Sequence, residues 1–452
     1  MVNKINMIDL LEIKEKIYYA KKIINELLTL VSGYSATAAI NFITTIGSTF
    51  STYNNKIEYI KSHNHSNITI DIFFKNKKSS TSSSNTKLKE LIKIVHNLIV
   101  VTKHLSPDDA HDLADLKQLA INKIPNLSLF NPYKLTSNKC IDLINLVEQS
   151  AKKYSKLINS TYGYFNYYYN TRTFGNSYGM LQSYTYSCYQ MHCQVIAKNN
   201  NSMERDYYYT INSDFNKLEP YTIVGERAAY RAIQRLNSNI IKTKRYPVIF
   251  LSEVATELFY YLAKAINGYN VYKKSTFLIK KFRKIIFPSW LNIIERPNIP
   301  YELGSTPFDY EGVKTNDIFI IKNGVLNTWL LDSYSSRKLN LNNNGHAGGI
   351  YNWYVTNNNI NFSDLLKLMH NGILVTELMG HEVNINNGNY SKGAFGFLIK
   401  NGCISYPISG ITIASNLSDM FSNISSISND IELRGNIKCG SLLVNNMNVA
   451  GL

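Results

Sequence analysis

The chain is short of long apolar runs, of cysteine and of proline, and each shortage excludes something. Nowhere in 452 residues does a stretch approach the ~18 uncharged apolar residues that a membrane span needs. The longer apolar runs, such as residues 98–102 and 248–251, suit buried strands or helix faces. Lys4, Glu12, Lys14, Glu15 and Lys16 break up the region that a signal peptide would keep apolar, so secretion and membrane insertion are not expected. The five cysteines (Cys140, Cys188, Cys193, Cys403 and Cys439) are odd in number and scattered, with no CxxC pair. That fits a reduced cytosolic protein better than a disulfide scaffold. Only 10 prolines and 18% charged residues, beside 44% hydrophobic ones, exclude a disordered tail. No internal repeat is present, and the length exceeds one typical domain.

Positive charge and tyrosine are plentiful. Lys and Arg number 48 against 32 Asp and Glu, a net charge of +16 that is compatible with nucleic acid or another anionic surface. The excess comes with abundant Asn and Ile and with 33 Tyr, the amino acids of AT-rich codons, so drift in base composition accounts for it. Tyr164, Tyr167, Tyr168 and Tyr169, with Tyr207, Tyr208 and Tyr209, could offer stacking platforms to bases. Aromatic residues also simply favour strands. A helix is expected over residues 276–286, where Lys280, Lys281, Arg283 and Lys284 would form a phosphate-binding face or, by default, a solvated one.

The periodicity predicts an α+β protein. Ile8, Leu11, Ile17, Ala20, Ile24, Leu27 and Leu28 recur at helical spacing. Residues 40–74 alternate in short steps and read as an antiparallel meander, followed by a Ser-rich loop at 79–85. Helices are expected through Leu88–Leu98 and from Thr136 through Val147, a weak one over 108–121, and Tyr-rich strands over 162–209. The first domain, residues 1–220, is thus α/β with a largely antiparallel sheet. The second, residues 221–452, is β-rich with peripheral helices. It opens with a helix over 225–236, a strand over 246–251 and a helix over 252–266. Asn323-Gly324, Asn387-Gly388 and Asn401-Gly402 mark tight turns between its strands, and 363–370 and 417–423 read as short helices.

Several candidate sites fail on spacing. Gly345-His346-Ala347-Gly348-Gly349 lacks the GxxxxGK[ST] phosphate cradle and reads as a chain reversal needing positive φ. His381-Glu382 begins like a zinc-binding HExxH but has no second His and sits beside a hairpin. Cys188-Tyr189-Gln190-Met191-His192-Cys193 offers two thiols and an imidazole, yet strand alternation puts His192 and Cys193 on opposite faces. The informative stretch is Pro247-Val248-Ile249-Phe250-Leu251-Ser252-Glu253-Val254-Ala255-Thr256-Glu257. There an apolar strand delivers a helix with Glu253 and Glu257 in its first turns.

Longer blocks carry more weight. They include Phe174-Gly175-Asn176-Ser177-Tyr178-Gly179, Ser305-Thr306-Pro307-Phe308-Asp309-Tyr310-Glu311-Gly312-Val313 and Trp329-Leu330-Leu331-Asp332-Ser333-Tyr334-Ser335-Ser336-Arg337. Gly345–Ile350, Val375–Gly380, Gly410–Leu417 and Asn436–Ser441 continue the series. With these, the sequence resembles the TldD/PmbA family, formerly called modulators of DNA gyrase, in its PmbA/TldE branch. The resemblance implies a cytosolic zinc metallopeptidase of two related subunits that takes unfolded peptide into an enclosed cleft. The TldD-type partner would hold zinc through HExxxH on a helix plus a downstream Cys. Carried onto this chain, the first His falls on Ser252, the Glu general base on Glu253, the second His on Glu257 and the Cys on Cys439. Both imidazoles are missing. A serine hydroxyl is scarcely deprotonated near neutral pH and is a poor zinc ligand. The expectation is a chamber-completing subunit with its zinc in the partner; the alternative is a basic, nucleic-acid-associated binding protein.

Overall fold

A computed structural model describes residues 10–380 and 383–451. The first half runs α1 (Leu10–Ser32), β1 (Thr37–Tyr53), β2 (Lys56–Phe74), β3 (Lys77–Ser83), α2 (Leu88–His104), α3 (Ser137–Tyr154), β4 (Ile158–Asn176), β5 (Leu181–Lys198), β6 (Met203–Asn212) and α4 (Tyr221–Gln234). Its six strands form one antiparallel sheet in the order β3-β2-β1-β4-β5-β6.

Strict alternation sends one side of this sheet under the helices. Phe165, Tyr167, Tyr189 and Val195 pack with Ile144 of α3 and Ala228 of α4, while Ile40, Phe42, Ile70 and Ile72 pack with Ile24 of α1 and Leu91 of α2. The tyrosine run is divided by the same period: Tyr167, Tyr169 and Tyr208 are buried in the core. Tyr164 and Tyr207 lie on the other face against His192, with ring centroids 6.4 and 5.4 Å away. Cys193 is fully buried on the helix side. His192 and Cys193 thus part to opposite faces as alternation requires. All five cysteines are free.

Three local expectations are corrected. The meander over 40–74 is one long hairpin, turning at Asn54 and Asn55, both at positive φ as a two-residue hairpin loop demands. The Ser-rich segment is not a loop: Lys77–Ser83 pairs with β2 as the edge strand, where small hydroxyl side chains cost little. Of the weak helix over 108–121 only a 3₁₀ turn, Leu116–Gln118, forms.

The second half contains β7 (Lys244–Phe250), α5 (Ser252–Ala265), α6 (Gly268–Tyr272), β8 (Ile293–Glu295), β9 (Ile318–Lys322), β10 (Val325–Leu326), α7 (Ser333–Leu339), β11 (Trp353–Val355) and α8 (Phe362–Met369). It continues with β12 (Gly372–Met379), β13 (Val383–Asn384), β14 (Asn389–Lys400), β15 (Cys403–Asn416), α9 (Leu417–Ser422), β16 (Ile424–Ile427), β17 (Ile437–Lys438) and β18 (Leu442–Ala450). One sheet runs β12-β7-β18-β15-β14-β13, and β14 also pairs with β12, so five of its strands close into a ring. A smaller sheet, β10-β9-β8-β11-β17, lies beside it. The three Asn-Gly pairs sit at turns, with Gly324, Gly388 and Gly402 at positive φ.

The basic segment is another correction. Residues 276–286 form no helix, because partners across the fold take their backbone groups: Arg283 N donates to Leu326 O at 2.9 Å, Leu326 N to Lys284 O at 3.0 Å, and Ile286 N to Gly324 O at 2.9 Å. Tertiary pairing overrides local helix propensity here.

β7 is apolar on both sides because both are covered. Val248 and Phe250 face a core shared with Ala255, Leu258 and Phe259 of α5, while Ile249 packs with Leu365, Leu366 and Met369 of α8. This sandwich fixes the direction in which α5 leaves the strand. No helix among the described residues is long and apolar enough to cross a membrane.

Candidate functional site

The strand-to-helix junction sets the site. Leu251 N donates to Val375 O at 3.0 Å, ending β7 against β12, and α5 starts at once with Val254 N and Ala255 N bonded back to Leu251 O. Ser252 N donates to Ser441 Oγ at 2.9 Å, and that hydroxyl donates to Asp430 Oδ2 at 2.7 Å. The first helical N–H is thereby tied to the start of β18 and to a carboxylate, as an orphan donor at a helix start requires. Ser252 is buried at 9% exposure and accepts no charge of its own.

Glu253 stands in the first turn, where the helix dipole favours an acid. Its carboxylate is not free. Arg231 of α4 donates Nη1 to Oε2 at 3.0 Å and Nη2 to Oε1, and Arg434 places Nη2 2.6 Å from Oε1. Arg434 also grips Glu432, with Nε donating to Oε1 at 2.8 Å. Both arginines reach the free edge of β6, where Nη1 of Arg231 donates to Tyr207 O at 3.3 Å and Nη1 of Arg434 to Tyr209 O at 3.0 Å. The Tyr208 ring lies 4.8 Å from the Arg231 guanidinium and 5.0 Å from that of Arg434. Burial alone would raise the Glu253 carboxyl, but the hydrogen bond and charge of Arg231, joined by Arg434, outweigh it and hold the group below its ordinary range.

One turn on, Glu257 has its own cation. Lys392 of β14, nearly buried, donates to Oε1, and the Tyr261 hydroxyl donates to the same oxygen at 2.7 Å. Burial would lower the Lys392 ammonium; the hydrogen bonds to Glu257 and Tyr261 raise it instead. Cys439 lies between β17 and β18, fully buried, with Sγ 3.1 Å from Gly440 O. Burial, then the charge of Asp430, pushes its thiol well above the ordinary range. Helix α5 packs on β17, which ends one residue before Cys439. Glu253 and Glu257 open together onto a cleft of about 400 Å³ that Tyr209, Tyr260, Glu432 and Ile437 also line.

The structure therefore brings Glu253 and Glu257 to one cleft and ties Ser252 to the strand that follows Cys439. It also adds three residues that the sequence reading did not select: Arg231, Arg434 and Lys392. A signal for one of them was present. Arg227, Arg231 and Arg235 recur every fourth residue, one face of a helix, and all three find acids: Glu219 at 3.2 Å, Glu253, and Asp206 at 3.3 Å with Glu377. Nothing local marks Arg434 or Lys392, which reach the cleft from a loop and from a barrel strand.

The other sequence candidates fall elsewhere. The loop 345–349 is a packed reversal with Gly345, Gly348 and Gly349 at positive φ; a Cβ on Gly348 would sit 1.7 Å from the Tyr310 ring. His346 is buried, with Nε2 2.6 Å from Glu295 Oε1 and Nδ1 2.8 Å from Asn344 Oδ1. His381 and Glu382 lie outside the described residues. Among the described residues, three or more His, Cys, Asp or Glu side chains nowhere gather as a metal would need.

Comparison with known proteins now gives this architecture a class. Residues 130–236 match the central domain and residues 243–451 the C-terminal domain of the PmbA/TldA metallopeptidases. The sequence is 43% identical over 425 residues to the metalloprotease PmbA of Escherichia coli O157:H7, covering 94% of each chain. The chain belongs to the PmbA/TldD metallopeptidase family. In structure it is similar to a candidate modulator of DNA gyrase from Bacteroides thetaiotaomicron (TM-score 0.90, 22% identity, 96% of this chain and 99% of that one). It is likewise similar to TldE from Thermococcus kodakarensis (TM-score 0.83, 19% identity, 95% of this chain and 100% of that one).

Proposed function

We propose that this chain is the PmbA/TldE-type subunit of a cytosolic two-chain zinc metallopeptidase acting on unfolded peptides, completing the chamber while a TldD-like partner supplies zinc, water and general base. The observation that carries this reading is the clamp on Glu253. A general base must be free to take a proton from a positioned water. This carboxylate spends its oxygens on two guanidiniums and is held ionised and weakly basic.

The donor set argues the same way for the metal, and the residues present do not fit Zn²⁺. Zinc takes neutral imidazole, thiolate or free carboxylate. Here Glu257 is committed to Lys392 and Tyr261, the Cys439 thiol resists ionisation, and Ser252 has only a hydroxyl. A dication would also enter beside Arg231, Arg434 and Lys392, which repel it. The acidic positions of the family motif serve in this subunit as anchors that fasten α4, β6 and β14 to α5.

Nucleic-acid binding has less to stand on. The basic segment is not a helix, and the tyrosines are shared between the core and a face where they stack on His192 and on each other. The test is hydrolysis of an unfolded peptide by this chain alone and by the chain co-expressed with a TldD-like partner. Chelator-sensitive cleavage only in the pair supports the reading; chelator-sensitive cleavage by the isolated chain contradicts it.

A further inference from the structure

The peptidase reading leaves the basic segment 276–286 without a role. Residues 258–294 carry seven Lys or Arg and no Asp or Glu. Drift in base composition spreads lysine along a whole chain; it does not by itself clear one stretch of acids.

Tertiary pairing gathers these cations on one surface. The loop turns between Lys281 and Lys284, where Lys284 N donates to Lys281 O at 3.0 Å. Ile285 then forms a bridge with Val325, whose partner across the β9–β10 hairpin is Lys322. Arg283 donates Nη1 to Asn327 Oδ1, and Asn327 Nδ2 donates to Phe319 O at 2.8 Å. The Lys322 ammonium lies 5.4 Å from the centre of the Phe319 ring. Lys280, Lys281, Arg283, Lys284 and Lys322 are all exposed. None of the five has a salt-bridge partner among the described residues; Asp317, the acid next to β9, lies 3.9 Å from Arg296. Two apolar side chains stand among the cations: Ile285 is 67% exposed and Phe319 37%. Either alone would be ordinary on a protein surface.

Unpaired like charges repel one another unless an anionic partner meets them. A nucleic-acid backbone would meet the charge but offers an aliphatic chain such as Ile285 nothing to bury against. An anionic lipid surface meets both needs, since its headgroups take the cations and its acyl chains take the apolar tips. We propose that this face docks on an anionic lipid bilayer, with Ile285 and Phe319 entering the boundary between headgroups and acyl chains and the five cations resting on lipid phosphates. The chain would lie on the bilayer without spanning it. The contact is independent of the peptidase reading, since it needs neither zinc nor a TldD-like partner.

The test is co-sedimentation of the full chain with vesicles of phosphatidylcholine alone and of phosphatidylcholine mixed with phosphatidylglycerol. Binding should require phosphatidylglycerol and weaken as salt rises. Replacing Lys280, Lys281 and Lys284 together by Ala should weaken it about a hundredfold, the sum of three cations at an anionic surface. Ile285→Ser should weaken vesicle binding about tenfold and leave binding to a DNA duplex unchanged. All four side chains are exposed, so the fold does not depend on them. Ile285→Trp adds a direct readout: brominated acyl chains should quench the introduced indole beyond any effect on the unsubstituted chain. No binding to phosphatidylglycerol vesicles at low salt, wild-type binding by the triple variant, or an unquenched indole would overturn the proposal. A DNA duplex bound more tightly than the vesicles, with Ile285→Ser weakening neither, would also overturn it and assign the face to nucleic acid.

Discussion

Two groups of acids in the C-terminal half solve burial in opposite ways. At the cleft, Glu253 and Glu257 are met by cations: Arg231, Arg434 and Lys392. In the interior, Glu295 and Asp309 are met by ring and backbone N–H groups. Glu295 takes His346 Nε2 at 2.6 Å, Trp353 Nε1 at 2.7 Å and Tyr351 N at 3.0 Å. Asp309 takes Glu311 N and Val313 N at 2.9 Å and Ala347 N at 3.0 Å. The protonation of Glu253 and Asp309 diverges accordingly. The guanidiniums hold Glu253 below the carboxylate range, whereas burial, with the charge of Glu311, pushes Asp309 up to about 7 against its three backbone hydrogen bonds. At Asp309 backbone donors thus fix geometry while leaving burial to raise the acid. Guanidiniums fix charge, which suits an anchor and disables a base.

The comparison can be broken first at Glu295, one of its two most buried members. Glu295→Ala orphans an indole N–H, a backbone N–H and an imidazole at once, so a loss of about 3–5 kcal/mol is expected, read as a lower midpoint in urea unfolding. Asp309 separates the two designs by pH. Its native carboxyl keeps a proton up to about 7, whereas the unfolded chain loses it near the ordinary aspartate value of 3.8. Between those limits the native state binds more protons, so stability should fall as pH rises from about 4 to 7, by at most about 1.4 kcal/mol per pH unit, and then level off. Thermal unfolding of Asp309→Asn should show a visibly flatter profile over that window; an unchanged slope would mean Asp309 is ionised throughout.

At the cleft the effects are smaller, because the groups are part-exposed. Arg434→Met leaves Glu432 and half of Glu253 unpaired and should cost about 2 kcal/mol. Adding Glu253→Gln should recover part of the loss, a coupling that a double-mutant cycle measures directly. Lys392→Met should cost about 1 kcal/mol, discounted for the exposure of Glu257. If Lys392→Met proved more damaging than Glu295→Ala, the contrast between the two clusters would be drawn the wrong way round.

The legible parts of this fold are those where a local rule and the tertiary structure agree. The run Val248–Phe250 followed by Ser252 and Glu253 marks the β7–α5 junction because the strand is covered on both sides and the helix starts without a loop. The Asn-Gly pairs mark turns because their positive φ is a backbone requirement. Residues 276–286 mislead because pairing with Gly324 and Leu326 outranks their propensity. The clamp on Glu253 was half legible. The fourfold spacing of Arg227, Arg231 and Arg235 announces a charged helix face, but that it closes on Glu253, with Arg434 arriving from far along the chain, is a property of the packed chain alone.

The most direct test of the central claim is zinc content by elemental analysis, on this chain purified alone and on the chain co-expressed with a TldD-like partner. The account predicts no stoichiometric zinc in the isolated chain and about one zinc per heterodimer. Stoichiometric zinc in the isolated chain, lost on Glu257→Gln or Cys439→Ser, would contradict it and return Glu253 to the role of a catalytic base.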